Sequence, residues 1–243
     1  MTSPDVVDDL EAEQDQLEAL LRKLSPADWV SPSAAAGWTV ADVVLHLAQS
    51  EEMVPAALSG VSLELPAQGG SVDEVMDALV RSQPATPAEI FERWRAARRA
   101  SVAALRGADP QRPVQWVATP LKPRTLATTR LAEHWAHALD VATPFGLDYP
   151  DTMRLRHIAW LGHSTLPYAF GLAGEPAGEV FAELAAPDSS VWRFGDPAAP
   201  SSITGSAGAF CRVGARRLAP ADSGLRAQGP HAESALRLLR NYA

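Results

Sequence analysis

The chain has 243 residues, 47% of them apolar and 21% charged, with a formal net charge of −8 and a pI near 5.2. That is length and apolar content enough for a sizeable core in one large or two modest domains. The acidic balance argues against nucleic acid or an anionic membrane as the main partner. The one cysteine, Cys211, excludes an intrachain disulfide framework. No apolar run approaches the roughly 20 residues of a membrane span. The first residues are acidic and polar, without a basic or apolar leader. The expectation is a soluble cytoplasmic protein.

Val6, Leu10, Leu17, Leu20, Leu21 and Leu24 recur at helical spacing and predict a first helix over 5–24, with acidic residues in its first turns. A short turn follows at Ser25-Pro26. Thr39 then reads as an N-cap with Asp42 three residues on, opening a second helix over 40–58 in which Pro55 is a kink or an early stop. The stretch 59–87 is broken by Gly60, Pro66, Gly69, Gly70, Pro84 and Pro87, with room for one short helix over 71–82. Thr86-Pro87 starts a third long helix to about Leu105. A proline-punctuated connection, with a short extended piece around Trp116, leads to a fourth over 125–142, stopped by Pro144 and Gly146.

Beyond Asp148 the character changes. Residues 151–171 predict a helix interrupted at Pro167. Two alternating runs, 179–185 and 191–195, predict a hairpin, and 201–204 a third strand. Helices are expected over 207–218 and 230–242. The fold class is therefore α plus α+β: a four-helix bundle over 1–148 and a small α+β domain over 149–243.

The chemistry concentrates in Arg130-Leu-Ala-Glu-His-Trp-Ala-His137-Ala-Leu-Asp140. On a helix, Glu133 and His137 lie about 40° apart and roughly 6 Å along the axis, a two-donor claw for a divalent ion. They share a stripe with Leu126, Arg130 and Val141 that faces the bundle interior. A third donor is available at His46. Two imidazoles and one carboxylate leave a position open on a four-coordinate ion, as in catalytic rather than structural sites. Zinc suits this set, while nickel, iron and manganese also accept it. The blander reading pairs Glu133 with Arg130 and leaves both histidines as interior residues. His134 is an alternative donor, further round the wheel. Asp140 is placed to orient an imidazole.

Trp38-Thr39-Val40 running into a helix with His46, followed some 90 residues later by Glu133 and His137, resembles the DinB-like superfamily and, more narrowly, the mycothiol-dependent maleylpyruvate isomerase group. The resemblance implies a DinB-like bundle whose divalent metal is held by His46, Glu133 and His137. It also implies a C-terminal domain similar to a sterol-carrier fold, on the signals Val191-Trp-Arg-Phe-Gly195, Ile203-Thr-Gly205 and Phe210-Cys-Arg212. Mycothiol is implied as the thiol cofactor, for isomerisation or thiol transfer on a small electrophile. An acidic substrate would call for an arginine, and Arg212 with Arg216 is the first choice because the two share a helical face at i,i+4. The alternatives are a thiol-independent metal hydrolase, lyase or cyclase, and a non-catalytic metal-stabilised binding module. The metal's open side is expected at a cleft between the two domains.

Overall fold

The computed structural model describes residues 5–61, 72–117 and 119–241. The predicted helix start at Ser71, the breakers Pro66, Gly69 and Gly70, and the predicted helix end at Tyr242 lie outside the described residues. The chain divides into two compact units, Met1–Tyr149 and Pro150–Ala243.

The first unit is built on four long helices, α1 (Val6–Leu21), α3 (Val40–Leu58), α5 (Pro87–Gly107) and α6 (Pro123–Ala142), with two shorter ones, α2 (Pro26–Trp29) and α4 (Val72–Ser82). Strands β1 (Val114–Trp116) and β2 (Thr119–Leu121) pair antiparallel in the connection before α6. The heaviest packing is α3 against α5 and α1 against α6. The helix starts follow local chemistry. Asp5 caps α1, its carboxylate accepting from the Val7 amide. Thr39 with Asp42 and Thr86 with Glu89 form reciprocal capping boxes at α3 and α5. Pro123 and Pro87 stand in first turns, where a missing amide proton costs nothing. Pro55 does not stop α3, which runs on to Leu58.

The bundle core is apolar: Leu10, Leu17, Val43, Val44, Leu47, Trp94, Leu126 and Leu131 are fully buried. Charge ties its rim. Arg98 of α5 reaches Asp15 and Glu18 of α1, and Arg106 reaches Asp8 and Glu11. These contacts run in opposite senses along the two helices, so α1 and α5 are antiparallel.

The second unit opens with α7 (Leu155–Ser164) and α8 (Leu166–Ala173), where one interrupted helix is predicted. The break falls at Thr165, because Pro167 sits in the first turn of α8 and cannot continue α7. Four strands follow: β3 (Val180–Ala185), β4 (Val191–Phe194), β5 (Ser201–Ser206) and β6 (Arg226–Gln228). Their order is β4-β3-β5-β6, with β3 and β5 parallel and the outer pairs antiparallel. The predicted hairpin and third strand form. β6 is too short and too polar to have announced itself. Helix α9 (Ala207–Gly214) ends four residues early, and α10 is confined to Ala232–Leu238. Cys211 is fully buried in α9, and burial pushes its thiol up, so it is not a nucleophile. Among the described residues no helix is long and apolar enough to cross a membrane.

Two tests follow from these contacts. Thr39→Ala removes the α3 cap and is expected to lower unfolding free energy by about 1 kcal/mol, measured by chemical denaturation. A change near zero would show that the box adds nothing at this end. The second test concerns Glu18. Burial alone would raise its carboxyl, but the Arg22, Arg98 and Arg95 guanidiniums outweigh burial and hold it below its ordinary 4.5. The unfolded chain therefore takes up this proton first. The stabilisation is complete above that value and is lost as pH falls below it towards the folded value. Acid titration of stability should be less steep in Glu18→Gln than in wild type, and equal slopes would dismiss the cluster's role.

Candidate metal centre

The site begins with the turn that launches α3. Gly37 adopts φ 80°, a left-handed conformation that suits glycine, and turns the chain into Trp38 and the Thr39 cap. Two turns into α3, His46 points inward and is 8% exposed. Glu133 and His137 stand one turn apart on α6 and meet it across the seam. His46 Nε2 and His137 Nε2 each lie 3.5 Å from Glu133 Oε2. One donor atom from each residue falls within 4.8 Å of both others, so the convergence expected from sequence is present. Among the described residues no other group of three such side chains meets that test.

The distances are informative. A charge-assisted hydrogen bond prefers about 2.7–2.9 Å, and these contacts are longer. Two donors on a tetrahedral ion with bonds of about 2.0–2.1 Å sit about 3.4 Å apart. The two contacts to Glu133 Oε2 are close to that spacing, and the third pair of donors lies within 4.8 Å. The donor set also has the right electronics. The Nδ1 of His137 is 2.9 Å from Asp140 Oδ2, and Asp140 is 1% exposed. The Nδ1–H donates to that carboxylate, which leaves the Nε2 lone pair for an ion and fixes the ring. Asp140 is thereby a buried orienting residue, not a surface one.

The three groups shift one another. Burial would raise Glu133, yet the His137 and His46 imidazoles hold it well below the usual carboxylate range. His46 is lowered by burial and by the neighbouring His137, against the pull of Glu133. His137 is pushed up to about 9 despite burial, because Asp140 and Glu133 both favour its charged form. Two carboxylates thus favour a proton on the His137 ring.

Several sequence expectations need adjustment. Arg130 does not pair with Glu133; it pairs with Glu51, 2.8 Å away across the bundle. His134 is no donor to the cluster. Its Nδ1–H donates to the Arg130 carbonyl at 2.9 Å, and its Nε2 accepts from Trp94 Nε1 at 3.2 Å. Trp38 is half-buried and forms a wall, its ring centre 5.2 Å from His46 and 6.2 Å from His137, held by a 2.7 Å bond from Nε1 to Asp77 of α4. Trp135 is buried in the core. Arg212 and Arg216 do not share a helix face: α9 stops at Gly214, and Arg216 lies beyond it at φ 61°. Arg212 donates to both oxygens of Asp151 at 2.8 and 2.9 Å. The signal for Asp77 was absent from the sequence, because its role depends on where α4 packs.

Fold and donor set together define the class: a DinB-like four-helix bundle with a three-donor centre between two helices, followed by a small α+β unit. The family model for the mycothiol maleylpyruvate isomerase N-terminal domain matches residues 10–142. The chain belongs to that family. Uncharacterized proteins from two strains of Mycobacterium tuberculosis, CDC 1551 / Oshkosh and H37Rv, are each 34% identical over 243 residues, covering 98% of this chain and 95% of the relative. Crystal structures of the mycothiol-dependent maleylpyruvate isomerase and of a histidine-to-alanine mutant of it share the fold. Their TM-scores are 0.62 and 0.63 at 18% and 16% identity, each covering 93% of this chain and 94% of the other.

His46→Ala and His137→Ala are each expected to abolish stoichiometric divalent metal while leaving helical circular dichroism intact. The apolar bundle, not the ion, should carry the stability of a unit this large. Elemental analysis beside the far-ultraviolet spectrum checks both halves. A chelator that unfolds the bundle would make the centre structural.

Proposed function

We propose that this chain is a divalent-metal-dependent enzyme that uses a low-molecular-weight thiol, mycothiol, for isomerisation or thiol transfer on a small electrophilic substrate. The observation that carries the reading is the donor geometry: two Nε2 atoms each 3.5 Å from one carboxylate oxygen, with no fourth His, Cys, Asp or Glu donor in the group among the described residues. Family membership supports the thiol. The fold-mate of known activity is a mycothiol-dependent maleylpyruvate isomerase.

A bound divalent ion, with zinc the best match to these donors, lowers a thiol's pKa and keeps the nucleophilic thiolate available at neutral pH. The chain's own residues do the rest. His46, Glu133 and His137 supply the donors. Asp140 holds the His137 ring and its tautomer. Glu133 is the most accessible of the three, at 24% side-chain exposure against 10% and 12%, which supports an approach from solvent on its side. Trp38 walls the two imidazoles and offers a flat apolar face to whatever enters. If the substrate is an acid, an arginine would pair with its carboxylate. Arg212 is engaged by Asp151, and Arg212→Ala and Arg216→Ala test the two candidates.

The test is turnover of a panel of small electrophiles, cis-configured unsaturated acids included, by metal-loaded enzyme with and without mycothiol. Activity that requires both metal and thiol, and that His137→Ala lowers by at least about a hundredfold, is expected. Full activity without thiol would replace this reading by a hydrolase, lyase or cyclase. Tight metal binding with no turnover would favour a binding module.

A further inference from the structure

A second polar layer lies one helical turn from the metal-type cluster, between the same two helices. On α3, Ser50 and Glu51 follow His46 by four and five residues. On α6, Arg130 precedes Glu133 by three. Arg130 Nε donates to Glu51 Oε1 at 2.8 Å, and its Nη2 donates to Ser50 Oγ at 2.6 Å. Glu51 is wholly buried, Arg130 4% exposed and Ser50 5%. The guanidinium also lies over the Trp116 ring, 5.8 Å from its centre. The Arg130 carbonyl is held by His134, which Trp94 of α5 holds in turn.

Stability is a poor explanation for this layer. A buried ion pair loses much of its attraction to desolvation, and apolar side chains of similar volume commonly do as well or better. Glu51 Oε2 has no hydrogen-bond partner among the described residues, so the carboxylate is compensated on one oxygen only. What the pair supplies is position. Apolar helix faces tolerate small slips, whereas a planar fork reaching two fixed acceptors fits one register. Register matters most at this seam. Helix α3 packs far more extensively on α5 than on α6, so apolar interlock between α3 and α6 is thin. Yet the donors straddle that seam. A slip of one turn, about 5.4 Å, would remove His46 from the cluster, and metal bonds tolerate only about 0.2 Å.

We propose that Arg130, through Glu51 and Ser50, is a positioning residue that locks α3 against α6 in the register at which His46 meets Glu133 and His137. The proposal rests on the metal reading for its purpose, but the lock itself is a property of the metal-free protein.

The variant to make is Glu51→Leu with Arg130→Met. Ser50 keeps its bond to the Leu47 carbonyl, so no donor is stranded. Expected are helical circular dichroism and a urea midpoint at or above those of wild type. Affinity for Co2+ or Zn2+, by competition with a chromophoric chelator, should fall by about 10–100-fold. Wild-type affinity in the folded double variant overturns the proposal. Should that variant not fold, Arg130→Lys takes its place, since it keeps the charge but not the fork. Reduced affinity supports the lock and unchanged affinity overturns it. A readout free of metal uses nitroxides attached after Glu52→Cys and Arg124→Cys, two exposed positions on α3 and α6, with Cys211→Ala. Pulsed dipolar distances should be narrow in the parent and broadened or shifted when the pair is removed. An identical distribution overturns the lock. A distance change on removing the pair, in a protein whose parent binds no metal, would sink the metal reading and leave the lock standing.

Discussion

The site depends on the antiparallel seam between α3 and α6. Glu133 and His137 are neighbours by helix geometry alone and would face the same way in any folded α6. His46 has no such guarantee. It belongs to a helix 87 residues earlier than its carboxylate partner, and it reaches the cluster only if α3 and α6 pack at one rotation and one height. The contacts fix both. His46 meets Glu133 and His137, while Ser50 and Glu51, further along α3, meet Arg130, further back along α6. Rising numbers on one helix against falling numbers on the other establish the antiparallel pairing without further evidence.

Electrostatics divides this seam into two layers with opposite needs. In one, Arg130 meets Glu51, and the formal charges cancel within the protein. In the other, Glu133 and Asp140 lie against imidazoles, and one of these is driven to hold a proton well above its ordinary value. Buried carboxylates without a fixed cation are costly. The same short stretch of α6 takes part in both layers.

Much of this was legible in the sequence, and the reasons are physical. Periodicity marks helices that pack on one face, so the four long helices read clearly. Thr39-Val-Ala-Asp42 and Thr86-Pro-Ala-Glu89 carry their own start signals and form the boxes they predict. The claw on α6 is local, hence visible. What was hidden is tertiary. The partner of Arg130 is 79 residues away in sequence, so the nearer Glu133 looked equally eligible. The β6 strand owes its existence to pairing with β5 rather than to any pattern of its own. Arg212 and Arg216 looked like helix neighbours because nothing short of the positive φ at Arg216 tells that α9 has already ended. Asp77 became part of the site's wall only because α4 lies against Trp38.

The sharpest instance is the choice between Glu133 and His134. The two are adjacent, and either could serve as a metal donor chemically. A single helix step of about 100° sends them to different places. Glu133 falls on the seam with α3, where two imidazole nitrogens face it. His134 falls towards α5, where the Trp94 indole N–H occupies the one lone pair its tautomer leaves free, and the Arg130 carbonyl accepts its proton. Burial then keeps that ring neutral by lowering it to about 4. A histidine in that setting is already satisfied on both nitrogens and has no valence left for an ion. Which of the two meets His46 is thus decided by angle and by what each neighbour has already claimed, not by residue type.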